Sequence, residues 1–283
     1  QLLSPLQLLS VALFFLMFAP LNAQVTEDFE SIPDGAFTGN SDWTIDDGAA
    51  DQGSRSAEIL NSGLSYTVGD FNILGGSRSL KLDLQGVGGS DPANDFAVFD
   101  FSSNSIGSDG DVVEFRYLFS KDSTNSFTNI GISGDVTAAR PSRTSSAGFV
   151  AAVTGGNNEN RARIWDNNGN DKSQNLATDF NDGNTHLVAG QVTFNASGDE
   201  TFDLWVDPTS TDLSTLTPTA SVTDDMETTS FEAWGFFPNG DDNGTLKIDE
   251  FQAQVVPEPS TYATIMGVLA LVGIAILRMR RTA

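Results

Sequence analysis

Apolar residues along this chain recur in short runs separated by clusters of Gly, Asn, Asp, Ser and Pro. Nowhere between Gln24 and Val255 do they keep a 3.6-residue period. Runs of this kind predict strands and turns: "SLKLDL" from Ser79, "FAVFDF" from Phe96, "DVVEFRYLF" from Asp111, "FTNIGIS" from Phe127, "AGFVAAV" from Ala147, "RIWD" from Arg163, "HLVAGQVTF" from His186, "TFDLWVD" from Thr201, "SFEAWGFF" from Ser230 and "TLKIDEF" from Thr245. Ten or more strands in about 230 residues, with no internal repeat and no linker, predict an all-β domain over 24–255, an antiparallel jelly-roll sandwich.

The alternation inside two strands predicts faces. In "DVVEFRYLF", Val113, Phe115, Tyr117 and Phe119 share one side, while Glu114 and Arg116 share the other, which should be wet. Phe202, Leu204 and Val206 form a similar stripe, leaving Trp205 out of phase between Asp203 and Asp207. In "TLKIDEF", strict alternation turns Glu250 to the side of Leu246 and Ile248, where an unpaired charge is expensive. Either a bulge rephases that strand or a cation or base meets the carboxylate.

Two segments break the pattern. The run Leu6 to Phe18, followed by small residues at Asn22 and Ala23, predicts a secretory signal peptide over 1–23, and the chain reads as starting part-way into it. Tyr262 to Leu277 is uncharged and apolar, and predicts a single C-terminal transmembrane helix capped by Arg278, Arg280 and Arg281 on the cytoplasmic side. At 1.5 Å per residue it would span roughly 24 Å, a tolerable mismatch with a bilayer core. Ahead of it, Pro257, Glu258 and Pro259 predict an extended, exposed stretch.

Composition narrows the function classes. Residues 24–259 carry 38 acids against 11 bases, a net charge of −27, which argues against nucleic acid as a partner. The absence of Cys excludes thiol catalysis, disulfides and Cys-based metal sites.

The order Pro257-Glu258-Pro259, short apolar span, then Arg278, Arg280 and Arg281 resembles the PEP-CTERM sorting signal. That resemblance implies handling by exosortase, a membrane-embedded transpeptidase-like enzyme, with 256–283 as a transient anchor removed near the Pro-Glu-Pro motif. It also implies delivery to the cell surface or the extracellular polysaccharide matrix. "DFESIPDG", "GLSYTVGDFNILGGSRSLKLDL", "THLVAGQVTF" with "DLWVDP", and "LKIDEFQA" are similar to landmarks of concanavalin A-like and laminin G-like jelly rolls. Such modules often hold a structural Ca²⁺ between an acid near the first strand and an Asp in the last. The resemblance thus implies Glu30 and Asp249, with Glu250 beside them, as calcium ligands.

Other candidate chemistry is thinner. "DNNGND" from Asp166 starts like an EF-hand loop but lacks its Gly and its bidentate Glu, and with "NGDDNG" from Asn239 it reads best as turns. Trp165 and Trp205 are candidate sugar-stacking platforms, whereas Trp43 and Trp234 suit the core. His186 is the only histidine and is expected at a strand-end surface with no nucleophile elbow. Neither a Glu-x-Asp-x-x-Glu run nor a P-loop, dinucleotide or zinc signature occurs. The sequence therefore predicts a non-catalytic exported protein that scaffolds or binds exopolysaccharide, not an enzyme. The alternatives are a Ca²⁺-dependent carbohydrate-binding adhesin or a jelly-roll glycan hydrolase.

Overall fold

The computed structural model describes residues 24–46, 57–83, 96–122, 127–134, 149–154, 160–165, 171–177, 182–195, 198–226, 228–239, 245–256 and 274. Backbone proximity groups Gln24–Val255 into one compact unit. The expected signal peptide, the Pro257-Glu258-Pro259 motif, the Tyr262 to Leu277 span save Ile274, and the arginine cap lie outside the described residues. Among the described residues, no helix is long and apolar enough to cross a membrane.

In chain order the strands are β1 (Gln24–Glu27), β2 (Gly35–Ala36), β3 (Trp43–Asp46), β4 (Ala57–Leu60), β5 (Tyr66–Val68), β6 (Phe71–Ile73), β7 (Ser79–Asp83), β8 (Phe96–Asp100) and β9 (Val112–Lys121). They continue with β10 (Phe127–Ser133), β11 (Phe149–Thr154), β12 (Asn160–Trp165), β13 (Asp171–Leu176), β14 (Thr185–Thr193), β15 (Glu200–Val206), β16 (Ala220–Asp224), β17 (Ala233–Asn239) and β18 (Thr245–Val256). One sheet runs β16-β15-β14-β9-β18-β7-β4-β2 with β1 also on β18, the other runs β13-β12-β11-β10-β17-β8-β3, and β5 with β6 forms a separate hairpin. The expected all-β, antiparallel architecture is therefore present.

The stripe predicted on β9 faces inward: Val113, Phe115, Tyr117 and Phe119 are buried and pack with Ile130, Ile132 and Trp234 of the opposite sheet. Tyr117 reaches across, donating from its hydroxyl to the Ile130 carbonyl at 3.4 Å. Trp43 and Trp234 are core residues at 2% and 0% exposure, 6.1 Å apart edge to face, as their sequence setting suggested. At the rim, Lys172 of β13 pairs with Asp224 of β16 at 3.0 Å, joining the edge strands of the two sheets.

A bulge resolves the phase problem in β18. Leu246 and Ile248 face the core, and so do Phe251 and Ala253, so the alternation slips by one residue between them. Glu250 absorbs the slip at φ 55°, left-handed backbone that non-glycine residues rarely adopt. The partner on one edge changes at the same point: β7 pairs with Thr245 to Ile248, and β1 with Phe251 to Gln254.

Candidate active site

The outer face of the first sheet carries the polar rows that alternation assigned to it. Glu114 stands opposite Gln191, which in turn opposes Asp203; Arg116 stands opposite Ala189, which opposes Trp205. Segments distant in sequence roof this face. The β5–β6 hairpin turns through Gly69 at φ 57°, where an added Cβ would lie 1.9 Å from the Thr209 carbonyl, and Asp70 N–H donates to that carbonyl at 3.0 Å. The chain after β15 forms a 3-10 turn at Leu213–Thr215, in which the Asp212 carboxylate accepts from the Ser214 N–H.

Between roof and sheet lies a cleft of about 100 Å³, walled by Phe71 and Leu213 and floored by Glu114, Arg116, Gln252 and Gln254. Glu114 is half-buried, and Gln191 Nε2 donates to its Oε1 at 3.0 Å. Burial raises its pKa above the usual carboxylate range, against amide donation by Gln191 and Gln254 and the charge of Arg116. The charge of Asp212, which lies in sequence between the lining residues Thr211 and Leu213, pushes in the same direction as burial. For Arg116, burial lowers the guanidinium pKa, while Glu250 and Glu114 oppose that. A desolvated carboxyl in a cleft with a second carboxylate acting on it is an arrangement suited to proton transfer.

The proposed calcium ligands come together electrostatically but serve other groups. Asp249 is fully buried and accepts from Leu64 N–H at 2.8 Å and from Glu250 N–H at 2.9 Å, one on each oxygen. Burial first, then the charges of Glu250 and Glu30, push its pKa up to about 7. Glu30 accepts from Ser77 Oγ at 2.8 Å and Arg78 N–H at 2.9 Å, and its carbonyl accepts from the Arg78 guanidinium. Glu250 accepts from Gly76 N–H. These carboxylates therefore clamp the backbone from Leu64 to Arg78, which carries the hairpin. Among the described residues no group of three or more His, Cys, Asp or Glu side chains is disposed to hold a metal ion.

Three further expectations meet the structure here. Trp205 points to the outer face as its phase required, yet it is only 5% exposed because Leu213 and Ala189 cover it, so it is no open sugar platform. Trp165 ends β12, and its side chain lies outside the described residues. His186 is not a surface residue: it is 7% exposed, with Nδ1 2.7 Å from Asp207 Oδ2 and Nε2 3.1 Å from Asp182 Oδ1. Both carboxylates arrive from outside its strand, so the local sequence pattern could not place them.

No protein-family model matches the chain, and no curated protein matches it. Solved structures with a similar fold include an endo-β-1,4-glucuronan lyase from Trichoderma reesei, at 11% identity over 82% of this chain and 95% of that one, TM-score 0.49. They include a β-1,3-1,4-glucanase from a mouse hindgut metagenome, at 9% identity over 82% and 98%, TM-score 0.47. They also include the T. cruzi calreticulin globular domain, at 12% over 89% and 99%, TM-score 0.45. The expectation of a non-catalytic protein is withdrawn: a lyase and a glucanase are among the structures of similar fold, and the fold by itself assigns no activity. The missing motif on which that expectation rested also does not detect a desolvated Glu114 assembled from distant segments.

Proposed function

We propose that this chain is a glycan-active enzyme, a glycoside hydrolase working in the cleft over the outer face of the first sheet. The observation that carries this reading is Glu114: half-buried, held by Gln191, raised in pKa and lining a cleft, with the charge of Asp212 acting on it. In the reaction, Glu114 gives its proton to the glycosidic oxygen as the bond to the anomeric carbon breaks. Asp212 takes a proton from the water that adds to that carbon, so one water is consumed per bond cut. Gln191 and Gln254 orient Glu114, and Arg116 balances the charge left on it.

Reducing-end release from a panel of β-glucans and uronate polymers tests the reading with the full-length chain. Turnover that falls at least ~100-fold in Glu114→Gln at unchanged melting temperature supports it. No release from any polymer, or a fully active Glu114→Gln, overturns it; binding without turnover would favour an adhesin.

For the ends of the chain, the Pro257-Glu258-Pro259 motif and the arginine cap support export through the exosortase route, with the membrane as a transient partner. Mass spectrometry of the mature C terminus checks this. Cleavage near Pro257 agrees with sorting, and an intact Arg281 in the mature protein rules it out.

A further inference from the structure

Both nitrogens of His186 meet carboxylates, Asp207 at 2.7 Å and Asp182 at 3.1 Å. An ionised carboxylate only accepts, so each contact needs a proton on the nitrogen it meets, and only the imidazolium makes both together. The second oxygen of Asp207 accepts from Leu187 N–H at 3.0 Å, while its own N–H donates to the Leu187 carbonyl at 2.8 Å. Asp207 holds this position at φ 50°, in the left-handed region. Just beyond it come Thr209, which receives the hairpin tip through Asp70, and then Thr211 and Leu213 of the cleft wall.

We infer that His186 is a positioning residue which, as an imidazolium bridging Asp182 and Asp207, fixes the end of β15 and with it the wall of the cleft. Loss of one proton removes a donor from one carboxylate and frees the wall. Asp182 faces the ring from the turn before β14 and Asp207 from the end of β15, while β9 presents the Phe119 ring at 5.7 Å. Buried Lys121 follows two residues further along β9. Tyr66 of the hairpin faces Asp207 as a neutral phenol, raised by burial and by that charge, without closing a hydrogen bond of good geometry. Burial opposes the cation most strongly, but the hydrogen bonds and charges of Asp207 and Asp182 together raise the His186 pKa above 6.5.

The chain's single histidine makes the test direct, and its readouts do not depend on turnover. In the full-length protein labelled with ¹⁵N-histidine, one imidazole should titrate above about 6.5, with both nitrogens protonated below the midpoint. Asp207→Asn should lower that midpoint by about one unit, and Asp182→Asn by less. Hydrogen exchange in a peptide spanning residues 207–214 should accelerate about threefold beyond the intrinsic pH effect as His186 deprotonates, and His186→Gln should show the fast rate at every pH. Peptides from β10 and β12 act as the control. A midpoint at or below 6.5, a wall indifferent to the titration, or faster exchange throughout the sandwich in His186→Gln overturns the proposal.

Discussion

The indole of Trp234, on β17, stacks on the ring of Phe251, on β18, with centroids 4.3 Å apart and planes at 14°. The two residues belong to opposite sheets, and Phe251 reaches the core only because the bulge at Glu250 turns it inward. Phe251→Ala should therefore cost ~3–5 kcal/mol, the range for truncating a fully buried aromatic, read from urea unfolding.

The bulge itself has a separate signature. Glycine tolerates the backbone at position 250, so Glu250→Gly should change stability by less than about 1 kcal/mol, strain relief offsetting the greater freedom of the unfolded chain. A β-branched residue cannot settle there, and Glu250→Val should cost ~1–3 kcal/mol more than Glu250→Gly. Equal losses in the two variants would place the role of Glu250 in its charge, not in its backbone.

Stability should rise on mild acidification. Asp249 is held at about 7 in the folded protein, against ~3.9 in an unfolded chain, so the folded state binds its proton more tightly. Its contribution is complete below about pH 4 and disappears as pH climbs through 7. His186 is also raised, so its contribution is complete below ~6.5 and is lost at higher pH. Lowered Asp182 opposes this trend only toward its own acidic pKa. The melting temperature should be several degrees higher near pH 5 than near pH 8, and Asp249→Asn should flatten the slope below pH 7.

Activity should follow the protonation of Glu114. As general acid it must carry its proton, so turnover falls as pH rises through a pKa above the usual carboxylate range. A pH–rate profile whose alkaline limb lies above ~4.3, and which disappears with Glu114→Gln, is the expected result.

Gly69→Ala should separate cleft from fold. The added Cβ meets the Thr209 carbonyl at 1.9 Å, so the hairpin tip must lift from the wall. Turnover should drop at least ~10-fold while exchange protection in β9 and β14 stays unchanged.

Legibility in the sequence followed the range of the interactions. β9 and β15 were readable because their alternation is local and one face of each is buried. The out-of-phase Glu250 pointed to the bulge without saying which remedy the chain uses. β13, "DKSQNL", carried no apolar pattern because it is an edge strand with four consecutive exposed residues. The wet face of Glu114 and Arg116 was visible, but the cleft was not. Its walls come from Phe71 and Leu213, and no local period relates those positions to β9. The same holds for His186, whose burial depends on Asp207 closing over it.

The hairpin of β5 and β6 belongs to neither large sheet and is held by a turn glycine against Thr209 and by carboxylates gripping its flanks. The hairpin can therefore be exchanged without rewriting a single rung of the sandwich, provided the Gly69-Asp70 turn that docks on Thr209 is kept. That makes its strands a natural graft point, where evolution or an engineer can retune what enters the cleft while the scaffold beneath stays as it is.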